Sequence, residues 1–450
     1  MYNTFKQEGI KMGVKVVKFG GSSVADASQI KKTRSIIEAD PDRRYVVVSA
    51  PGKRYSGDSK ITDLLIMLKD VRDNNIPFEA LLGPIKERYT NITDDLGIDV
   101  DLDAEFDEIR KNLNNGCSGN YVVSRGEYLS ARLIAAYLGY TFVDTKNLIL
   151  FDNKGRLLVE ETNAALSAAL KEHERAVIPG FYGSYAKTGE ICLFSRGGSD
   201  VTGSLVARAA EASVYENWTD VSGMLMADPR IVDNPLPIKN ISYMELRELS
   251  YMGASVMHED AVFPARMSDI PINIRNTNKP EDPGTIISNG KSADDSSLIS
   301  GIAGKRDFTV ISIYKNMMNN EVGFVRKALA IVEDAGVSFD HIPTGIDSLS
   351  MVIASSELED KLDDILESFR VQLKPDDINV EDGIAMIAVV GRKMFRSVGT
   401  SARICGALAS NGVNIRMLNQ GTGEINVIVG VEAADFEKAI RAIYNEFVPA

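Results

Sequence analysis

Cysteine is scarce and scattered: Cys117, Cys192 and Cys405 are the only three in 450 residues. So sparse and odd a set excludes a disulfide framework and fits reduced thiols in a cytoplasmic chain. Histidine is equally rare, with three residues. His258 falls in a helical stretch with Met257 and Val262 and reads as a buried or capping residue, while His341 stands alone. No metal-ligating set is expected. No run of about 18 apolar residues occurs, so no membrane span is expected. Positive charge is in deficit, the net charge being -13, which argues against nucleic-acid or anionic-membrane partners. A Walker A loop, G-x-x-x-x-G-K-[ST], is absent. Residues 1–13 are polar, lack the apolar core of a signal peptide, and read as a disordered N-terminal extension.

What remains is ordinary globular material, 44% apolar and 25% charged, long enough for two to four domains. Its most informative stretch is Lys18-Phe19-Gly20-Gly21-Ser22-Ser23. The apolar run Val14 to Val17 precedes it as a buried strand, and a helical pattern from about Ser28 to Glu38 follows. Strand, glycine turn and helix together let an anion approach the backbone beside a lysine. Taken alone, such a turn is more often only a tight turn. The pattern returns at Ile191 to Asp200, where Ser195-Arg196-Gly197-Gly198-Ser199-Asp200 precedes a helix with Leu205, Val206 and Ala209. Two cationic glycine turns in one domain make an anion site the better reading. Asp200 either caps its helix or organises that site.

Other strands are expected at Tyr45 to Ala50, Ala176 to Ile178, Ala212 to Trp218 and Ile272 to Asn276. Alternating with helices, they predict a mostly parallel sheet covered on both faces. The polar run Lys53 to Lys60 reads as a mobile surface loop or a lid. Thr62 or Asp63 can cap the helix after it. Residues 77–115 read as a helical insertion with a solvated acidic face. Glu127, in Ser124-Arg125-Gly126-Glu127, is expected near a helix start, where its charge suits the dipole. Thr219 and Asp220 stand at a strand's C-terminal end, where open α/β sheets bind ligands. Arg230, after Asp228-Pro229, reads equally as a phosphate ligand or a surface arginine.

The C-terminal third repeats itself at an offset of 76 residues: Gly323 with Gly399, Gly336-Val337 with Gly412-Val413, Ile311 with Ile387, Met351 to Ile353 with Val427 to Val429. Each unit reads as a small ferredoxin-like βαββαβ fold, its Gly-Val pair a helix stop followed at once by a strand. The expected domains are 14–290, a linker at 291–305 rich in Ser, Asp, Gly and Asn, then 306–380 and 381–450.

KFGGSSVAD (18–26), SRGE (124–127), SRGGSD (195–200), WTDVSG (218–223), ADPR (227–230) and GASVMH (253–258) occur in this order. As a set they resemble aspartokinase, within the amino acid kinase family, and the tandem repeat resembles that family's two regulatory ACT domains. The resemblance implies an α/β amino acid kinase-like three-layer αβα domain followed by two ferredoxin-like βαββαβ ACT domains. It implies transfer of the γ-phosphate of ATP, with Mg2+, to the β-carboxylate of L-aspartate, the first step toward lysine, threonine and methionine.

Carried over residue by residue, the resemblance gives Lys18 the transferring phosphoryl group and Asp200 the task of holding Lys18 and the metal-phosphate cluster. Arg196 would clamp the α-carboxylate of aspartate and Glu127 would take its ammonium. Ser49, Thr62, Gly198 and Ser199 complete the substrate pocket. The ATP site is expected from Lys18, Gly20, Gly21, Ser22, Ser23, Thr219, Asp220, Leu225, Arg230 and Ser255. Leu225 stands where some members carry tyrosine, Ser255 where a lysine often sits, and Glu259 replaces a frequent proline. An amino-acid effector, lysine or else threonine, would use Met317, Gly323, Phe324, Ser338, Asp340 and Thr344. A homodimer or higher oligomer through the ACT units is expected, since such units bind effectors across their interfaces. A kinase acting on another acceptor (glutamate, acetylglutamate, carbamate or UMP), or a ligand-binding regulator without turnover, are the competing readings. The ACT pair and the SRGE turn argue against the first, intact Lys18, Glu127, Arg196 and Asp200 against the second.

Overall fold

The computed structural model describes residues 13–74, 76–254, 257, 259–289, 297–421 and 425–448. The expected extension, apart from Gly13, lies outside these residues, as do 291–296 of the expected linker, Ser255 and His258. The chain forms two packing units. One runs to Met224 and adds Pro237–Leu246 and Val256–Asp295; the other comprises Leu225–Leu236, Arg247–Ser255 and Ser296–Ala450.

The strands of the first unit are β1 (Lys15–Phe19), β2 (Arg43–Val48), β3 (Thr141–Phe142), β4 (Leu150–Phe151), β5 (Ala176–Pro179), β6 (Tyr182–Tyr185), β7 (Ile191–Leu193) and β8 (Val214–Thr219). Two short strands, β9 (Met224–Leu225) and β10 (Pro237–Ile238), precede β11 (Asn240–Ser242), β12 (Ile272–Asn276) and β13 (Thr285–Ser288). Eight of them make one sheet in the order β11-β13-β12-β8-β1-β2-β5-β3. Every neighbouring pair in it is parallel except β12 with β13. β4, β6 and β7 form a separate three-stranded sheet.

Helices α1 (Ala27–Glu38), α2 (Ile61–Asp73), α3 (Glu79–Leu96), α4 (Leu102–Asn114) and α5 (Gly119–Leu138) share one core with Val17, Phe19, Val46, Val48 and Trp218. The expected insertion is thus α3 and α4, whose apolar face (Leu102, Phe106, Ile109, Leu113) is buried and whose charges lie outside. After α6 (Val159–Lys171), α7 (Gly198–Ala209) packs on β1, β2 and β8. Strand side chains alternate between faces. Lys18, between Val17 and Phe19, therefore belongs to the α7 face.

Two local expectations are corrected. Helix α2 has Lys60 at its N-cap position with no side-chain cap, so neither Thr62 nor Asp63 caps it. The loop after Pro51-Gly52 is tied down: Asp58 accepts from Arg54 and, at 2.8 Å, from buried Arg88. The paired arginines hold the Asp58 carboxyl far below the usual carboxylate range. Local polarity does not disclose a partner 30 residues away.

The chain continues with α8 (Tyr243–Tyr251) and α9 (Glu259–Met267). The second unit adds β14 (Gly301–Tyr314), α10 (Phe324–Asp334), β15 (Ser348–Ala354), α11 (Ser355–Leu358), α12 (Leu362–Leu373), β16 (Asp377–Val390), α13 (Thr400–Ser410), β17 (Met417–Asn419), β18 (Asn426–Glu432) and α14 (Phe436–Phe447). Its five strands form a single sheet, β15-β14-β16-β18-β17. β14 and β16 are long enough to serve both repeats. Phe308 to Tyr314 pair with β15 and with the first half of β16, whereas Gly301 to Lys305 pair with Met386 to Val390. The second repeat therefore takes its fourth strand from the residues that precede the first. Residues 301–305, expected as linker, are a strand of this five-stranded sheet, a role hidden by their glycines and by the polar run Lys305-Arg306-Asp307. The glycines Gly336 and Gly412 do end α10 and α13 in the left-handed region. The strands after them are reduced: bridges at His341 and Thr344 in one repeat, β17 in the other.

Gly304 gives a direct test of the strand assignment, because a Cβ there would lie 2.6 Å from Phe436 and 2.7 Å from the Met386 carbonyl. Gly304→Ala is expected to destabilise by about 1–3 kcal/mol in urea unfolding, the usual cost of overpacking. A linker glycine would tolerate the change.

Candidate active site

The first glycine turn leaves β1 at its C-terminal end and enters a short 3-10 turn, Gly21–Val24, before α1, whose first turn is capped by Asp26. Gly21 is pressed against the segment after β2. Gly52 N–H donates to the Gly21 carbonyl at 2.8 Å, and a Cβ on Gly52 would lie 2.7 Å from Gly21 C. The two backbones can meet this closely only without side chains. Ser23, given an anion-donor role above, has its hydroxyl 2.7 Å from that of Thr277. Gly20 and Gly21 and the half-buried Ser22 remain at the surface of the turn.

The second turn comes from the small sheet, through β7. Gly197 adopts a left-handed conformation and α7 starts at Gly198. Gly198 and Gly180 let the helix start approach the turn after β5: Cβ atoms there would lie 2.6 Å from Phe181 and from Ser199. Asp200 stands in the first turn of α7 yet does not cap it. Its Oδ1 lies 2.6 Å from Lys18 Nζ and accepts from Asn217 Nδ2 at 3.0 Å. The two turns, from different sheets, thus meet through one ion pair. Lys18 is only 7% exposed, and a buried ammonium requires such a partner.

Glu127 is displaced from its expected place. Helix α5 begins at Gly119 with Ser118 as its cap, so Glu127 lies more than two turns inside and not at the helix start. It is buried at the point where α5 meets α2 and the end of β2: a Cβ on Gly126 would touch Ala50, Leu65 and Ile61. Burial pushes the Glu127 carboxyl up to about 7, against the opposing pull of the Ala50 amide and the Lys18 charge. Its Oε2 has no hydrogen-bond partner among the described residues. Arg125, beside it, is directed elsewhere, with its guanidinium 4.6 Å and 4.2 Å from the rings of Tyr121 and Tyr128.

Ser49 N–H donates to the Phe19 carbonyl at the end of β2. Thr62 is half-buried in the first turn of α2. Arg196 is exposed, and Ser199 is buried under Gly180. Thr219 ends β8 and Asp220 is exposed just beyond it. In the second unit Leu225 is exposed and Arg230 is paired with Asp228 at 2.6 Å. Met317 and Gly323 are left-handed, Ser338 and Thr344 are exposed, and Asp340 accepts from Tyr251 Oη at 2.5 Å. Phe324 is a correction in part: its ring is 2% exposed within the apolar core, so only its backbone can face an effector.

The amino acid kinase family model matches residues 13–276. The chain belongs to the amino acid kinase family. An ACT domain model matches residues 387–447. Aspartokinase 3 of Bacillus subtilis (strain 168) is 37% identical over 449 residues, covering 96% of this chain and 98% of its own. The crystal structure of Clostridium acetobutylicum aspartate kinase, described as an allosteric enzyme, superposes with a TM-score of 0.89 at 49% identity, over 97% of this chain and 100% of that one. Escherichia coli aspartokinase III in complex with aspartate and ADP gives 0.73 at 26% identity, over 96% and 99%.

Three neighbours of the candidate residues are not apparent from the sequence: Asn217, Gly52 and the Arg88–Asp58 tie. Only Asn217 leaves a signal, with Glu216 one of two consecutive polar residues in a buried central strand.

The Glu127 carboxyl titrates higher in the folded chain than its ordinary 4.5. The folded state therefore holds that proton more tightly. Its contribution is favourable at low pH and is lost as pH rises through 4.5 to about 7. Glu127→Gln is expected to raise stability at pH 8 by about 3 kcal/mol, shrinking below about 1 kcal/mol at pH 5. Urea unfolding at the two pH values checks the sign.

Proposed function

We propose that the chain catalyses ATP-dependent phosphorylation of the β-carboxylate of L-aspartate. The carrying observation is the Lys18–Asp200 pair, 2.6 Å across the junction of two glycine turns, with Glu127 buried within its electrostatic reach. A β-carboxylate oxygen attacks the γ-phosphorus, the bond to the ADP oxygen breaks, and ADP leaves with that electron pair. The acceptor is already a nucleophile, so the residues supply position and charge neutralisation and no general base is needed. Lys18 neutralises the transferring group, the amides of Gly20, Gly21 and Ser22 line the triphosphate, and Asp200 keeps Lys18 oriented. Arg196 presents a fork suited to the α-carboxylate. Glu127 receives the α-ammonium, which draws it into its ionised form, so aspartate binding below about pH 7 releases a proton.

Among the described residues no cluster of three His, Cys, Asp or Glu could hold a metal. The single carboxylate of Asp200 suits a Mg2+ that arrives on the nucleotide phosphates, since such ions take one or two protein carboxylates. Its part is charge neutralisation at the phosphates. Thr219, Asp220, Leu225, Arg230 and Ser255 are assigned to the nucleotide by resemblance.

Lysine is the proposed effector, with threonine as the alternative, at Met317, Gly323, Phe324, Ser338, Asp340 and Thr344. The E. coli aspartokinase III structure with lysine and aspartate supports this reading. Val322 and Val398, repeat-equivalent and fully exposed, with exposed Met317 and Ile346, support association of ACT units into a homodimer or larger oligomer. Free cysteines support a cytoplasmic setting, and no described helix is long and apolar enough to cross a membrane.

The test is ADP release with ATP, Mg2+ and a panel of acceptors. Aspartate should be turned over, with Lys18→Ala losing at least about a hundredfold in kcat while still binding aspartate. Turnover of glutamate, acetylglutamate, carbamate or UMP with none of aspartate would overturn the assignment.

A further inference from the structure

We propose that Asn217 is a positioning residue for phosphoryl transfer, holding Asp200 so that Lys18 keeps its place while it engages phosphate. The proposal rests on the functional reading above. Asn217 lies on β8 directly beside Lys18 in the parallel register, with Ile274 on its other side. It is 5% exposed in a central strand, where an apolar side chain would pack without polar cost. Its Nδ2 donates to the same Asp200 oxygen that meets Lys18. A flipped amide would set carbonyl against carboxylate, so the orientation is fixed. Its own Oδ1 is buried and has no hydrogen-bond partner among the described residues. The donor of this amide is spent on the carboxylate of the ion pair, a bond that an apolar side chain of similar size could not make.

The neighbours bear out the division of labour. Glu216, one residue back, is bonded to Arg43 and Trp218 Nε1 in the opposite core. Tyr215 Oη donates to the Asp200 carbonyl. Tyr215 thus fixes the backbone of Asp200 and Asn217 its carboxylate. With Lys18 as sole partner, that carboxylate would swing with the lysine whenever the ammonium turned to a phosphate.

The experiment is a double-mutant cycle on aspartate-dependent ADP release by the full chain, using Asn217→Leu and Asp200→Ala. Asn217→Leu should lower kcat about tenfold to a hundredfold, with the KM for aspartate nearly unchanged. In the Asp200→Ala background it should cost less than about twofold. Equal losses in both backgrounds, or an unchanged kcat, would overturn the proposal. Should the leucine variant not fold, Asn217→Asp keeps the shape without the donor, and wild-type kcat in a chain of unchanged melting temperature would overturn it equally. A wild-type chain inactive on aspartate would remove the functional reading and the proposal with it.

A separate observation lies in the second unit. Tyr251, the last residue of α8, donates to Asp340 at 2.5 Å, and Lys305 Nζ lies 4.8 Å from its ring. Asp340 N–H is fixed to the Val352 carbonyl, so this carboxylate is presented by the sheet. We infer that the Tyr251 hydroxyl occupies Asp340 when no effector is bound and that an effector ammonium displaces it, freeing the end of α8. This inference rests on the effector reading. Burial and Asp340 push the Tyr251 phenol up to about 12, so it remains a donor at neutral pH.

Tyr251→Phe keeps the ring and removes the competitor. Calorimetric titration of the full chain with lysine should give a Kd about tenfold lower than wild type, as expected for a lost bond to a charged group. Asp340→Asn should abolish binding. Unchanged or weaker lysine binding by Tyr251→Phe overturns the competition. Lysine and threonine binding that is absent in wild type, or indifferent to Asp340→Asn, overturns the effector reading and the inference together.

Discussion

One ion pair organises the catalytic unit. Lys18 extends from a strand buried on both faces, and a lone ammonium there would be intolerable without a counter-charge. Asp200 supplies it from the first turn of α7, a helix introduced by a strand of a different sheet. Satisfying that one charge therefore fixes two glycine turns against each other. The pairing does not exhaust the lysine, because an ammonium has three donors and Asp200 takes one of them.

Steric constraints complete what the charge begins. Gly21 meets Gly52, Gly180 meets Ser199, and Gly198 meets Phe181. Each contact brings backbone or small side chains to distances that a Cβ would forbid, so the site is walled by main chain. Main-chain walls supply N–H groups without rotamer entropy, which suits a reaction that needs position and charge more than chemistry from the protein. Glu127 contributes by the opposite means. Its burial disfavours a lone carboxylate, so ionisation there is favoured only beside a positive charge.

The glycine turns, Lys18 and Asp200 were legible in the sequence because each is a local pattern: strand, Gly-Gly, charge, helix. The parallel sheet was legible for the same reason, as apolar runs alternating with helices. Glu127 was found but misplaced, since SRGE reads as a helix opening while the true cap, Ser118, lies six residues before Ser124. Asn217 and the Arg88–Asp58 tie depend on contacts between distant segments, which no local period records. Residues 301–305 failed for a third reason. An offset of 76 residues reveals that a unit is repeated but not which copy a flanking strand completes.

That strand assignment changes how the regulatory unit must behave. Two tandem units joined by a linker could tilt independently, and a ligand on one would have no purchase on the other. Here β14 and β16 each run through both repeats as 14-residue strands, paired along nearly their whole length. Asp340 is bonded through its N–H to Val352 of β15, Val352 pairs with Val310 of β14, and the first half of β14 completes the second repeat. Glu248 of α8 accepts from Asn426 of β18 in the second repeat, and Tyr251 of the same helix donates to Asp340 in the first. One helix is thus bonded to both repeats of a continuous sheet. Both repeats therefore share that helix as a common hydrogen-bond partner, the kind of contiguous contact that coupling between two sites requires.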